Sequence, residues 1–259
     1  MINLNEFLVN KKINKKIDQS YQIRFNPDSR ESLIHNIVEL LDENNYDFNC
    51  IDVSKVEYMD NLFFPIGERL IKNNFDVSRW DVSNVKDMSH MFYGCHKFNC
   101  DISNWNVSNV EDMSSMFWQC YEFDQNLNDW DVSNVKYMRN MFYNCQIFNK
   151  PLNKWNVSNV EHIEHMFQEC YSFNQDINDW KFNSKVTSLF KMFDGCISFN
   201  KSLEKWDISN VDNIEFMFRN CKQLNKDFSK WNVTRKSHYK AFTGCLKIKQ
   251  KYLPYGYSG

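Results

Sequence analysis

The sequence predicts an α+β repeat solenoid, a stack of short strands and short helices with an N-terminal capping helix. Three observations point there. Tryptophans fall at Trp80, Trp105, Trp130, Trp155 and Trp180, a step of 25 residues, and then at Trp206 and Trp231. Seven of the nine cysteines, Cys95, Cys120, Cys145, Cys170, Cys196, Cys221 and Cys245, follow those tryptophans by 14 to 16 residues. A phenylalanine column runs with them at Phe92, Phe117, Phe142, Phe167, Phe193, Phe218 and Phe242. A period of this length marks units that bury an apolar face only against their neighbours.

Each regular unit divides into two halves. Over 98–107 the apolar marks Phe98, Ile102, Trp105 and Val107 mix alternation with turns, which suggests short strands. Over 108–120, Val110, Met113, Met116, Phe117 and Cys120 follow helical spacing. Ser108 or Asn109 can serve as N-cap there, and Glu111 and Asp112 suit the dipole of the first turn. A strand, a corner and a short helix per unit is the expectation.

Upstream, Asn26-Pro27-Asp28-Ser29 reads as a turn and helix start, and Leu33, Ile34, Ile37, Val38, Leu40 and Leu41 give an amphipathic helix over 30–42. Leu4, Phe7, Leu8, Ile13 and Ile17 are scattered apolar anchors before it. The expected organisation is an N-terminal segment with its capping helix over 1–50, eight units over 51–246, and a tail over 247–259. The first unit is atypical, with Ile51 in the Trp place and Leu62-Phe63 in the Met-Phe place, as a terminal repeat should be.

Aromatics at 16%, with six Gly and four Pro, exclude a collagenous or Gly-rich filament. No apolar run approaches the roughly 18 residues of a membrane span, and Met1–Lys16 lacks the apolar stretch of a secretory signal. A soluble chain, cytoplasmic or host-intracellular rather than secreted, is expected, with a virion or surface location left open. Stacked cysteines could pair, but without an export signal free buried thiols are the preferred reading. The net charge of −2 is uneven: residues 1–24 carry +3 and 225–259 carry +7, so the body between them is −12. Charged ends of this kind could favour end-to-end self-association, or could be merely solvated.

Two polar columns recur. Asn99, Asp124, Asn149, Asn174, Asn200 and Asn225 form one; Ser83, Ser108, Ser133, Ser158, Ser209 and Thr234 form the other. Both are expected to satisfy backbone groups at turns.

The pattern W-[DN]-V-S-N-V-x-x-M-x-x-M-F-x-x-C-x-x-F-N stands at Trp130–Asn149 and, with Asp in the last place, at Trp105–Asp124. It resembles the bacterial surface protein 26-residue repeat family, the Mycoplasma-lipoprotein-type domain of unknown function 285, often described as BspA-like. The resemblance covers residues 51–246. It implies a leucine-rich-repeat-like architecture and an association with surface display, adhesion and partner binding; it brings no catalytic residues.

No residue pattern supports catalysis, a metal or a cofactor. Glu161-His-Ile-Glu-His165 places His162 and His165 near acids but at the wrong spacing for zinc, so a solvated face is expected. The cysteine column lacks the short pairs zinc requires. The sequons at Asn106, Asn156 and Asn232 follow from turn chemistry, and one Asp per unit is too few oxygens for calcium. Tyr93, Trp118, Tyr121, Tyr143 and Tyr171 break the pattern by placing aromatics at outward positions. They form either a binding face or rings packed over the corners between units. The expected function is a non-enzymatic repeat scaffold binding a protein partner, with a glycan also conceivable and no nucleic acid. The alternative is a structural or adhesive component of a surface or virion, and an enzyme comes third.

Overall fold

A computed structural model describes residues 22–258. The anchors Leu4, Phe7, Leu8, Ile13 and Ile17, and with them the start of the N-terminal segment, lie outside the described residues.

Consecutive β-turns build each unit. In the unit around Trp105, backbone N–H groups reach carbonyls three residues back: Trp105 to Ile102 (3.1 Å), Val110 to Val107 (2.9 Å), Met116 to Met113 (3.2 Å), Cys120 to Phe117 (3.0 Å) and Phe123 to Cys120 (3.1 Å). A turn closed this way brings its first and fourth residues together. Apolar residues at three-residue spacing therefore face one interior, and all of these are buried. Two left-handed residues complete the winding, Ser115 (φ 55°) and Gln119 (φ 59°); His90 and Gly94, Asn140 and Asn144, and Lys191 and Gly195 repeat them.

This overturns the expected α+β solenoid, the leucine-rich-repeat-like stack of short strands and short helices. Among the described residues the regular elements are α1 (Arg30–Asp42), α2 (Gly67–Leu70) and 3-10 turns at Phe64–Ile66 and Gln250–Tyr252. No described residue lies in a strand; adjoining units meet through isolated parallel bridges such as Tyr58 to Asp87, Asp87 to Asp112 and Asp112 to Tyr137. The span 108–120 is not helical because its N–H groups reach back three residues or leave for a neighbouring unit, and none reaches the carbonyl four residues back. Those of Met113, Ser115, Phe117 and Gln119 donate to the carbonyls of Tyr137, Arg139, Met141 and Tyr143 in the next unit, at 2.7–2.9 Å. Helices and linked turns produce the same i, i+3, i+4 apolar spacing, and here the ladder between units satisfies the backbone without either regular element.

Equivalent side chains pile up in files. Phe92, Phe117, Phe142, Phe167, Phe193 and Phe218 stack with ring centroids 5.5–5.7 Å apart. Six tryptophans donate their indole N–H to a carbonyl of the preceding unit, as Trp130 does to Ile102 (3.1 Å) and Trp155 to Leu127 (2.8 Å). The Asn99 column satisfies the backbone as expected: Asn99 Oδ1 accepts from the N–H of Asp124, Asp124 from Asn149, and Asn149 from Asn174, at 2.9–3.0 Å. In the serine column the backbone takes part. Ser108 N–H donates to Asn106 Oδ1 (3.2 Å), and its carbonyl accepts from Asn134 Nδ2 of the next unit (2.7 Å). All nine cysteines are free.

Ahead of the array, α1 starts at Ser29. The Ser29 side chain accepts from Ser32 N–H and the Ser32 side chain from Ser29 N–H, a reciprocal cap. Leu33, Ile37, Leu40 and Leu41 are buried in one continuous core with Phe48, Val53 and the files beyond.

Candidate functional site

Each core phenylalanine of the central file is followed by a residue that points out of it. In units two to four those residues are Tyr93, Trp118 and Tyr143, and the stacking of units brings them into contact. Tyr93 and Trp118 lie 5.6 Å apart and Trp118 and Tyr143 4.1 Å apart, nearly parallel in both cases. Phe64, 61% exposed, meets Tyr93 edge-on at 5.8 Å. The rings cover one another's faces, and all three are only partly exposed. Burial pushes the Tyr143 hydroxyl above its ordinary pKa, and the charges of Glu169 and Asp194 add to this.

The next residues in this file are polar. Asp194 is 2% exposed and accepts two bonds from Arg219, at 2.8 and 2.6 Å, and one from Gln168 Nε2 at 3.1 Å. Gln168 Oε1 in turn lies 2.7 Å from His165 Nδ1, which makes that nitrogen the donor. The Arg219 guanidinium sits over the Phe216 ring at 4.7 Å. An aromatic wall thus runs into a hydrogen-bonded polar cluster centred on the buried Asp194, a junction that sequence reading missed. The signal available was the change from Tyr143 to Gln168, Asp194 and Arg219 in one column.

Tyr121 and Tyr171 belong to a neighbouring file and do not join the wall. Tyr121 stacks on His96 at 4.3 Å, and Gln146 occupies the place between it and Tyr171. Tyr171, 37% exposed, donates its hydroxyl to Glu169 Oε2 at 3.4 Å. His162 and His165 also diverge: His162 Nδ1 lies 3.0 Å from Arg139 Nη2 and its ring stacks on Tyr137, while His165 faces Gln168 and Phe190. Among the described residues no group of three or more His, Cys, Asp or Glu side chains is placed to hold a metal ion.

A second linear feature went unread in the sequence. Glu57, Lys86, Glu111, Lys136 and Glu161 alternate in sign along successive units. Lys86 pairs with Glu57 and Lys136 with Glu111, both at 2.6 Å, and Lys185 closes onto Glu161. Two shallow clefts of about 480 and 430 Å³ follow this file and share Asn134 and Lys136. No helix among the described residues is long and apolar enough to cross a membrane.

A family model described as "Mycoplasma protein of unknown function, DUF285" matches residues 33–153, 64–180 and 148–255. No curated protein and no solved structure matches the chain.

Proposed function

The chain belongs to the DUF285 family of Mycoplasma proteins of unknown function, and from that premise we propose that it is a non-enzymatic repeat scaffold that binds a protein partner along the wall of Phe64, Tyr93, Trp118 and Tyr143. The observation that supports this is the self-stacking of the wall. With faces covered at 4.1–5.6 Å, the rings lose little further side-chain freedom on binding and offer edges and hydroxyls to a complementary surface. A sugar ring would need an open aromatic face, and inside the file none is free. The Gln168–Asp194–Arg219 cluster would end the apolar contact on one side and so set the register of the partner.

The test is capture of partners on the immobilised protein, compared with Trp118→Ala and Tyr143→Ala, with thermal melting as the fold control. A partner held by the native chain and released by both variants supports the reading. Equal capture by all three removes the wall from the proposal.

A further inference from the structure

At every junction between successive units, alternate backbone N–H groups of one unit reach carbonyls of the next. Met88, His90, Phe92 and Gly94 donate to Asp112, Ser114, Met116 and Trp118, and Ile214, Phe216, Phe218 and Asn220 donate to Ser237, Tyr239, Ala241 and Thr243, at 2.8–3.0 Å. In the last unit the corresponding donors are His238, Lys240, Phe242 and Gly244. The tail covers them incompletely. Its backbone pairs earlier in that unit, where Phe228 N–H reaches Tyr252 and Val233 N–H reaches Tyr255, and only the Tyr257 hydroxyl comes to Phe242 N–H, at 3.3 Å. The N–H groups of His238, Lys240 and Gly244 have no acceptor among the described residues.

We infer that this donor edge is a docking site for an extended acidic segment of a partner protein, laid against the last unit as a further unit would be. Main-chain pairing of this kind extends an ordered edge, with flanking side chains supplying selectivity. Charge selects the partner. Ion pairs between units run as far as Lys205–Asp179 and Arg219–Asp194, but among the described residues none of the nine Lys and Arg from 222 to 251 has a carboxylate within 4.0 Å. The only acid in that stretch is Asp227. Tyr239, Leu246 and Tyr255, exposed by 57%, 77% and 71%, add apolar surface at the same end. A second copy fits poorly. Its own donor edge would bring lysine against lysine, and at its other end α1 overlies the first unit, with Arg30 Nη1 already donating to the Asp60 carbonyl at 2.9 Å. The surface is separate from the aromatic wall, so either proposal can fail alone.

The test uses a fluorescent 12-residue peptide alternating Glu and Val, its Lys/Val counterpart, a single-stranded DNA 20-mer, and amide hydrogen exchange read by NMR. In the free protein the Lys240 and Gly244 amides should exchange fast while those of Phe218 and Asn220 are protected. Saturating Glu/Val peptide should slow Lys240 and Gly244. The Lys240→Glu, Lys247→Glu double variant, with an unchanged melting temperature, should weaken binding by about tenfold or more, and added salt should weaken it in the native protein. Four results overturn the inference: no peptide binding, peptide binding without protection of these amides, equal binding of the Lys/Val peptide, or tighter binding of the DNA. Protection of the same amides by self-association in sedimentation would also overturn it, because the occupant would then be a second copy.

Discussion

The Cys145 Sγ donates to the carbonyl oxygen of Phe117, 3.0 Å away in the preceding unit. Cys120, Cys170, Cys196, Cys221 and Cys245 repeat the bond at 2.8–3.1 Å. A thiol is small enough for the core and still donates a hydrogen bond across the junction, which Ala and Val cannot do.

Replacing Cys145 by Ala should therefore cost about 1–2 kcal/mol, combining a lost hydrogen bond with a small void. Chemical denaturation of the variant measures it, and a cost indistinguishable from zero would show that the bond contributes nothing.

The same burial governs reactivity. It pushes the thiols of Cys95 and Cys245 up to about 12, and Cys120, Cys145, Cys196 and Cys221 well above their ordinary value. The thiolate is the reactive form, so iodoacetamide at pH 8 should label the partly exposed Cys50 first and leave the column unmodified until the fold opens. Mass spectrometry of native and denatured samples reads the outcome.

The buried Asp194 gives a sharper case. Arg219→Ala leaves its carboxylate without the main charge partner and should cost about 3–5 kcal/mol. Removing both charges with Asp194→Tyr and Arg219→Leu, which continues the aromatic wall, should cost less than the single change. A double variant less stable than Arg219→Ala would contradict this.

Asp112 sets a pH dependence. Burial first, and the neighbouring Asp87 charge as well, hold its carboxyl above the usual carboxylate range, against the bonds from Ser114 that lower it. The folded state thus binds this proton more tightly than the unfolded chain, so the group's contribution is present at low pH and is lost as pH rises through the raised value. Asp112→Asn keeps an acceptor for the Ser114 N–H and should melt higher than the native protein at pH 7. The difference should shrink on acidification toward pH 4; a gap independent of pH would exclude Asp112 as its source.

The files of Trp, Phe and Cys were legible in the sequence because identical side chains at a fixed step have to meet when units stack. The path of the backbone between them was not. Val110, Met113, Met116, Phe117 and Cys120 fit a helix as well as linked turns, and the deciding residues, Ser115 and Gln119, have no side-chain mark of left-handed geometry. A trace existed in the column of Gln119: Gly94, Asn144, Gly195, Asn220 and Gly244 occupy the same place, and Gly and Asn are the residues that take positive φ most readily. Of the five outward aromatics, Tyr93, Trp118 and Tyr143 share one column and form the wall. Tyr121 and Tyr171, three residues further along their units, fall in another.

The stacking of side chains into files depends on units built from turns and bonded to the next unit, not from helices. Hydrogen-bond scalar couplings in a deuterated sample test this at one amide. The expected result is a coupling from Phe117 N to the Met141 carbonyl carbon, across the 2.9 Å bond. A coupling from Phe117 N to the Met113 carbonyl carbon instead would place a helix there and contradict the stacked-turn structure.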